Sequence, residues 1–122
     1  MNVTLTLPFP PRTLHPNARP PHWAVKARAT KAYREQCCYE ARMARAAKGH
    51  IKLEAPVTMT LTFLVDNRRA HDADGLIASS KALIDGVVDS GLIPGDDSAR
   101  LTLVNGGVVV GKERCVRVEL AS

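Results

Sequence analysis

Apolar and polar residues alternate at the start of the chain: Val3, Leu5 and Leu7 are interleaved with Thr4 and Thr6. A period of two predicts a strand with one buried face. Pro8, Pro10 and Pro11 end it, and residues 12–29, with prolines at 16, 20 and 21 among basic residues, are expected to form an irregular surface loop. A loop of that length inside a compact domain is usually functional or disordered. Thr30 is placed to cap a helix running to about Lys48 and stopping at Gly49, with alanine-rich, unbranched composition. Val57, Met59, Leu61, Phe63 and Val65 then alternate with Thr58, Thr60, Thr62 and Leu64, the clearest strand in the chain. From Gly75 to about Ser90 the apolar residues Leu76, Ile77, Leu83, Ile84, Val87 and Val88 recur at helical spacing, with Gly91 as a stop. Residues 100–120 read as two strands joined in a hairpin around Asn105-Gly106-Gly107. The order β, loop, α, β, α, β, β predicts an α+β fold: one small domain over residues 1–122, a mixed β-sheet packed by two helices, with no internal repeat.

Composition narrows what such a domain does. With 122 residues, 45% of them hydrophobic, the core is small, which argues against a deep substrate cavity or a separate domain for an organic cofactor. Chemistry is expected on a shallow or intersubunit surface. No apolar run approaches the ~20 residues of a membrane span, and residues 1–11 lack the basic start and long apolar stretch of a signal peptide. The expected location is the cytoplasm. Three cysteines, two of them adjacent at Cys37 and Cys38, do not make a disulfide framework.

The net charge of +5 divides unevenly. Residues 1–52 hold ten Lys/Arg and two Glu, whereas residues 53–122 hold seven Lys/Arg and ten Asp/Glu. The basic part suits a polyanion. On the expected first helix Lys31, Arg34, Arg42 and Arg45 fall within an arc of about 80°, either a phosphate-binding stripe or an ordinary solvated face. Trp23, the single tryptophan, lies near His22, Lys26 and Arg28. It either stacks on a nucleobase or pins the loop to the core.

In the acidic part, Asp72, Asp74, Asp85, Asp89, Asp96 and Asp97 fall within 26 residues. Asp72 and Asp74 stand between a strand end and a helix start; in an extended segment their i, i+2 spacing puts both side chains on one side. Carboxylate oxygens are hard ligands suited to Mg²⁺, whose remaining positions accept substrate phosphate. Lys81, seven residues past Asp74, is two turns on and only about 20° round a helix, so its ammonium reaches toward the same side and can stabilise charge on a scissile phosphate. The plainer alternative makes Asp74 a helix cap, pairs Lys81 with Asp85, and leaves Asp96-Asp97 as a polar turn.

These residues resemble the RusA-type Holliday junction resolvases, small Mg²⁺-dependent endodeoxyribonucleases often carried by phages and prophages. The resemblance covers nearly the whole chain. Leu5 to Pro11 (LTLPFPP) is similar to the family's first strand and its Leu-Pro-aromatic-Pro-Pro turn, followed by a basic loop and a helix containing Tyr33-Arg34. Arg68 and Arg69, then Asp72 and Asp74, then Lys81, Ala82, Leu83 and Asp85, then Asp96-Asp97 follow the family's order. The resemblance implies that Asp72, Asp74 and Asp97 bind Mg²⁺ (or Mn²⁺), with Asp96 the less certain of its pair, and that Lys81 assists hydrolysis of a DNA phosphodiester. It implies a homodimer that makes paired cuts in branched DNA during recombination and repair. Arg12, Arg19, Lys26, Arg28, Lys31, Arg34, Arg68 and Arg69 would hold phosphates. Two positions depart from the pattern: Gly75 stands where the family has Asn, and Ala78 where it has lysine, Lys81 lying about one turn further along nearly the same face.

Other signals carry less. Gly106 to Lys112 (GGVVVGK) has P-loop spacing, but Glu113 replaces the required Ser/Thr and no helix follows. The cysteines and histidines lack zinc-site spacing; His71, beside Asp72, is either an accessory base or an exposed loop residue. Two other readings remain open: a catalytically silent DNA-binding protein on the same scaffold, and a metal-dependent enzyme acting on a small phosphorylated molecule, which the small core disfavours.

Overall fold

The computed structural model describes residues 1–14, 23–66 and 79–122. The elements are β1 (Asn2–Pro8), a single 3-10 turn (Arg12–Leu14), α1 (Trp23–Ala47), β2 (Val57–Val65), α2 (Lys81–Asp89), β3 (Leu101–Val110) and β4 (Cys115–Ala121). The four strands form one mixed sheet in the order β1-β4-β2-β3. β4 runs antiparallel to both β1 and β2, and β2 pairs with β3 in parallel. Two helices and one mixed sheet match the α+β expectation.

Register turns the sequence alternation into a core. Leu5, Val118 and Leu61 lie abreast on β1, β4 and β2, as do Leu7, Val116 and Phe63, and Val3, Leu120 and Met59. All nine are buried. Each such side chain contributes roughly 1.5–3 kcal/mol on leaving water. The opposite face of the same strands carries Thr4, Thr6, Thr58, Arg117 and Glu119, all exposed. α1 turns Tyr33, Cys37 and Ala41 into the core; α2 adds Ala82, Leu83, Ile84 and Val87. Tyr33 also ties α1 to the end of β1, its hydroxyl donating to the Pro8 carbonyl at 2.7 Å. Burial raises the Tyr33 phenol well above its usual range and pushes the Cys37 thiol up to about 12, so both stay protonated at neutral pH.

Three expectations change. α1 starts at Trp23, so residues 23–29, expected as loop, are helical. Thr30 is no cap: its hydroxyl donates to the Lys26 carbonyl at 2.8 Å, a bond made inside a helix. Ala24, Lys26, Ala27, Arg28 and Ala29 are strong helix formers, and that preference prevailed over the capping signal. The end of α1 agrees with expectation, with Gly49 at φ 81°. The second expected helix, which began at Gly75, starts only at Lys81 as α2: Ser79 and Ser80 form a turn, so no continuous helix carries Asp74 to Lys81, and residues 75–78 lie outside the described residues.

The hairpin is the third correction. Asn105-Gly106-Gly107 lies within β3, and β3 and β4 are separated by β2. The sequence forms a bulge: β3 advances from Asn105 to Val108 while β2 advances from Leu61 to Phe63. A side chain at Gly106 would collide with the Thr62 hydroxyl and the Leu61 carbonyl, and Gly107 has φ 88°. These are glycine requirements of a bulge as much as of a turn, which is why the pattern misled.

Gly86 sets the spacing of the helices. A β-carbon there would lie 2.5 Å from the Arg34 carbonyl oxygen, 2.9 Å from Cys37 Cβ and 3.0 Å from the Cys38 nitrogen. Two of these are backbone atoms of α1, so relief requires moving a helix. Gly86→Ala is expected to cost about 1–3 kcal/mol by overpacking, although alanine is the better helix former. Urea denaturation measures it; an unchanged midpoint would show that the helices separate without cost.

Candidate functional site

The described part of the candidate site gathers around the first turn of α2. Ser80 precedes the helix and is buried, and Lys81 is its first residue, with a side chain 73% exposed. The Lys81 ammonium donates to Asp85 Oδ1 at 3.1 Å and to Asp96 Oδ2 at 3.4 Å. The first contact follows from i, i+4 spacing on one helix face. The second joins residues fifteen apart, because the chain turns back after α2 through Gly91, at φ 84°, and brings the 94–98 loop beside the start of α2. The hydrogen bond to Asp85 is the main reason the Lys81 pKa is raised, with Asp96 adding to it. Lys81 therefore stays a cation throughout the neutral range. It is suited to stabilising negative charge and unsuited to abstracting a proton.

Asp85 is shared. Its other oxygen lies 3.8 Å from Arg34 Nη1 of α1. Arg34 also makes a two-pronged bond to Asp89, with Nε donating to Oδ2 at 2.6 Å and Nη2 to Oδ1 at 2.9 Å. This fork-to-carboxylate geometry is the strong form of ion pair. It raises the Arg34 pKa and holds the Asp89 carboxyl below its usual range. A continuous chain of charge thus runs Asp89, Arg34, Asp85, Lys81, Asp96 across two helices and a loop.

The adjacent carboxylates of the 94–98 loop diverge. Asp96 faces Lys81, whereas Asp97 is turned into the loop. Asp97 Oδ1 accepts from the backbone N–H groups of Ala99 and Arg100 at 3.0 and 3.1 Å, and Oδ2 lies 3.2 Å from Arg100 Nε. Its backbone carbonyl accepts from Arg100 and Leu101, so Asp97 organises the turn that launches β3. Arg100 folds over Gly95, where a β-carbon would lie 2.9 Å from its side chain.

Asp72, Asp74, Arg68, Arg69, Arg19, His71 and Gly75 lie outside the described residues. At the border of that segment, Asp66 at the end of β2 lies 3.9 Å from Arg114, whose guanidinium also sits 4.6 Å from the centre of the Phe9 ring. Among the described residues no three His, Cys, Asp or Glu side chains come together. Arg12 is exposed in the 3-10 turn, and Lys26, Arg28 and Lys31 are exposed on α1.

The expected stripe on α1 is not a uniform cationic face. Arg34 is held by Asp89 and Asp85, Arg45 Nε donates to the Ile51 carbonyl at 2.8 Å, Arg42 reaches the Cys38 sulfur at 3.4 Å, and Lys31 lies 3.9 Å from Glu35. Arg34 and Arg45 thus bind α1 to its neighbours, a role angular position alone does not reveal. The missed signal for the helix crossing was Gly86 itself, a glycine inside an apolar helix, which implies a close approach.

Trp23 is 76% exposed, so it does not pin residues 23–29 to the core. With Lys26, Ala27, Thr30, Lys31 and Arg34 it lines an open groove of about 530 Å³ on α1. No helix among the described residues is long and apolar enough to cross a membrane.

No protein-family model matches the chain. An 87-residue stretch, 71% of this chain, is 32% identical to an uncharacterized protein of Xylella fastidiosa. The match spans 56% of that protein's length, so the chain corresponds to little more than half of it.

The Arg34–Asp89 bond predicts a pH signature. A carboxylate held low in the folded state adds stability that is complete above its unfolded pKa and is lost as pH falls through the lower folded value. Arg34→Met should therefore be less stable than the native chain above pH 3.8, the ordinary Asp89 value, and the gap should close in stronger acid. Thermal unfolding of both proteins across pH 2–7 checks this; a constant gap would assign the loss to packing.

Proposed function

We propose that the chain is a Mg²⁺-dependent, structure-selective endodeoxyribonuclease domain that cuts branched DNA, Holliday junctions included, working as a homodimer in the cytoplasm. The observation that carries this reading is the meeting of Lys81 with Asp96 at 3.4 Å. It places a permanent cation beside a carboxylate of the Asp96-Asp97 pair, two parts of the ordered set that resembles the RusA-type resolvases. The basic residues of the first 52 positions supply the phosphate affinity such a substrate needs.

The donor set suits a divalent ion. Asp96 presents a carboxylate at the surface, side chain 43% exposed, and Asp72 and Asp74 supply the remaining acids of the motif. Asp97, the member of the pair that the resemblance favours, would join them only by giving up its 3.2 Å pairing with Arg100. When bound, Mg²⁺ or Mn²⁺ supplies Lewis-acid stabilisation of the phosphoryl oxygens. Lys81 holds positive charge where the leaving oxygen becomes negative, and Asp85 fixes the direction in which that ammonium points. Arg34 steadies Asp85 from α1 and acts as a positioning residue. Two copies related by a twofold axis would supply the paired sites that resolution of a four-way junction requires.

Cleavage of a synthetic four-way junction with Mg²⁺ tests the reading. Asp74→Asn should abolish cutting while leaving junction binding in EDTA intact, and Lys81→Ala should slow cutting by roughly 10²–10³-fold. Equal cutting by the native chain and Asp74→Asn would remove the proposed metal site. Tight binding with no cutting under Mg²⁺ or Mn²⁺ would instead identify a silent DNA-binding protein. That alternative is favoured by one observation: Lys81 and Asp97 already have partners within the chain.

A further inference from the structure

The first turns of α1 do not serve the core. Residues 23–32 bury none of their side chains, and the helix's buried residues begin at Tyr33. Advancing by 100° per residue, Lys26, Thr30 and Trp23 fall within the same arc of about 80° as Tyr33, Cys37 and Ala41. The face that enters the core thus continues beyond it, carrying Lys26 and Thr30 beside one large exposed aromatic. This is the face that bears the groove of about 530 Å³.

Charge identifies what fits there. Residues 23–34 contain Lys26, Arg28, Lys31 and Arg34 and no acidic residue. Cations in the opening turns of a helix run against its dipole, so their placement opposes helix stability and is explained by an anionic occupant. The aromatic specifies the anion further. A tryptophan face accepts a nucleobase only when that base has left its duplex stack, whereas a closed duplex presents phosphates alone. We propose that this face of α1 binds an unpaired nucleic-acid strand, with one base stacked on Trp23 and the adjoining phosphates held by Lys26 and Lys31. Arg34 lines the groove and also contacts Asp85, the partner of Lys81, so the strand would lie next to the candidate site. The proposal rests on the DNA-directed part of the proposed function and adds a preference for unpaired segments, such as those exposed at an opened branch point.

The tryptophan is its own probe, since the chain has no other. Titration with a short oligothymidylate in EDTA at low salt should quench its fluorescence, and a blunt duplex of equal length should bind with little quenching. Trp23→Ala should weaken oligothymidylate binding, read by anisotropy of a labelled strand, by roughly 5- to 100-fold. Trp23→Phe should retain most of the affinity, which separates lost stacking from a misfolded variant. Replacing Lys26 and Lys31 together by glutamine should lower the slope of log affinity against log salt by about 1.4. Unchanged binding by Trp23→Ala, equal quenching by the blunt duplex, or a response to phosphatidylglycerol vesicles alone would each overturn the proposal. Junction cleavage with Trp23→Ala binding at native affinity would refute stacking and leave the nuclease reading intact. Quenching by oligothymidylate in a chain that never cuts would do the reverse.

Discussion

The contact between α1 and α2 is made of backbone as much as of side chains. It exists because position 86 has no side chain: any β-carbon there would enter the space of the Arg34 carbonyl and the Cys37 β-carbon. Once the helices lie this close, Arg34 reaches two carboxylates one turn apart on α2, Asp85 and Asp89. Lys81 occupies the same row one turn earlier, so a single helix face carries a cation and two acids at four-residue intervals. The same closeness seals Cys37, whose thiol is too desolvated to ionise at neutral pH and so is a poor nucleophile. Helix spacing, charge arrangement and thiol inertness share one cause.

Much of the fold was readable in advance, because alternation reports directly on burial. Val3, Leu5 and Leu7 of the first strand are buried, as are Val57, Met59, Leu61, Phe63 and Val65 of β2, where the polar Thr62 is buried with them. What alternation cannot report is which strand lies beside which. Glycine at 106 and 107 serves a tight turn and a bulge equally well, and the choice was settled by β2, whose Leu61 and Thr62 press against that point of β3. The start of α1 was hidden for a related reason. A threonine hydroxyl caps a helix or bonds back to the preceding turn, and only the backbone upstream decides which.

The candidate site was legible as a set of residue types and less so as a geometry. The i, i+4 pairing of Lys81 with Asp85 could be read from spacing; its meeting with Asp96 could not, because it depends on how the chain turns after α2. Adjacent aspartates at 96 and 97 are equivalent in sequence, yet one faces the lysine and the other supports a turn. The division of charge between the two parts of the chain also needs refinement. Arg34 belongs to the basic part, but its bonds to Asp85 and Asp89 of the acidic part make it a seam between the two.

The sheet order bears on how the protein is made. β4, the most C-terminal of the four strands, lies between β1 and β2 and forms antiparallel ladders with both. Until β4 is in place, β1 has no neighbour among the described strands and β2 lacks its partner on one side. The pairing of Asn2 with Ala121 spans almost the whole sequence. Contacts that distant require a large loop to close before any bonding repays it, which places such topologies among slow folders. The sheet is therefore not assembled in chain order: β4, one of its two inner strands, follows the other three in sequence, and β1 joins β2 only through it.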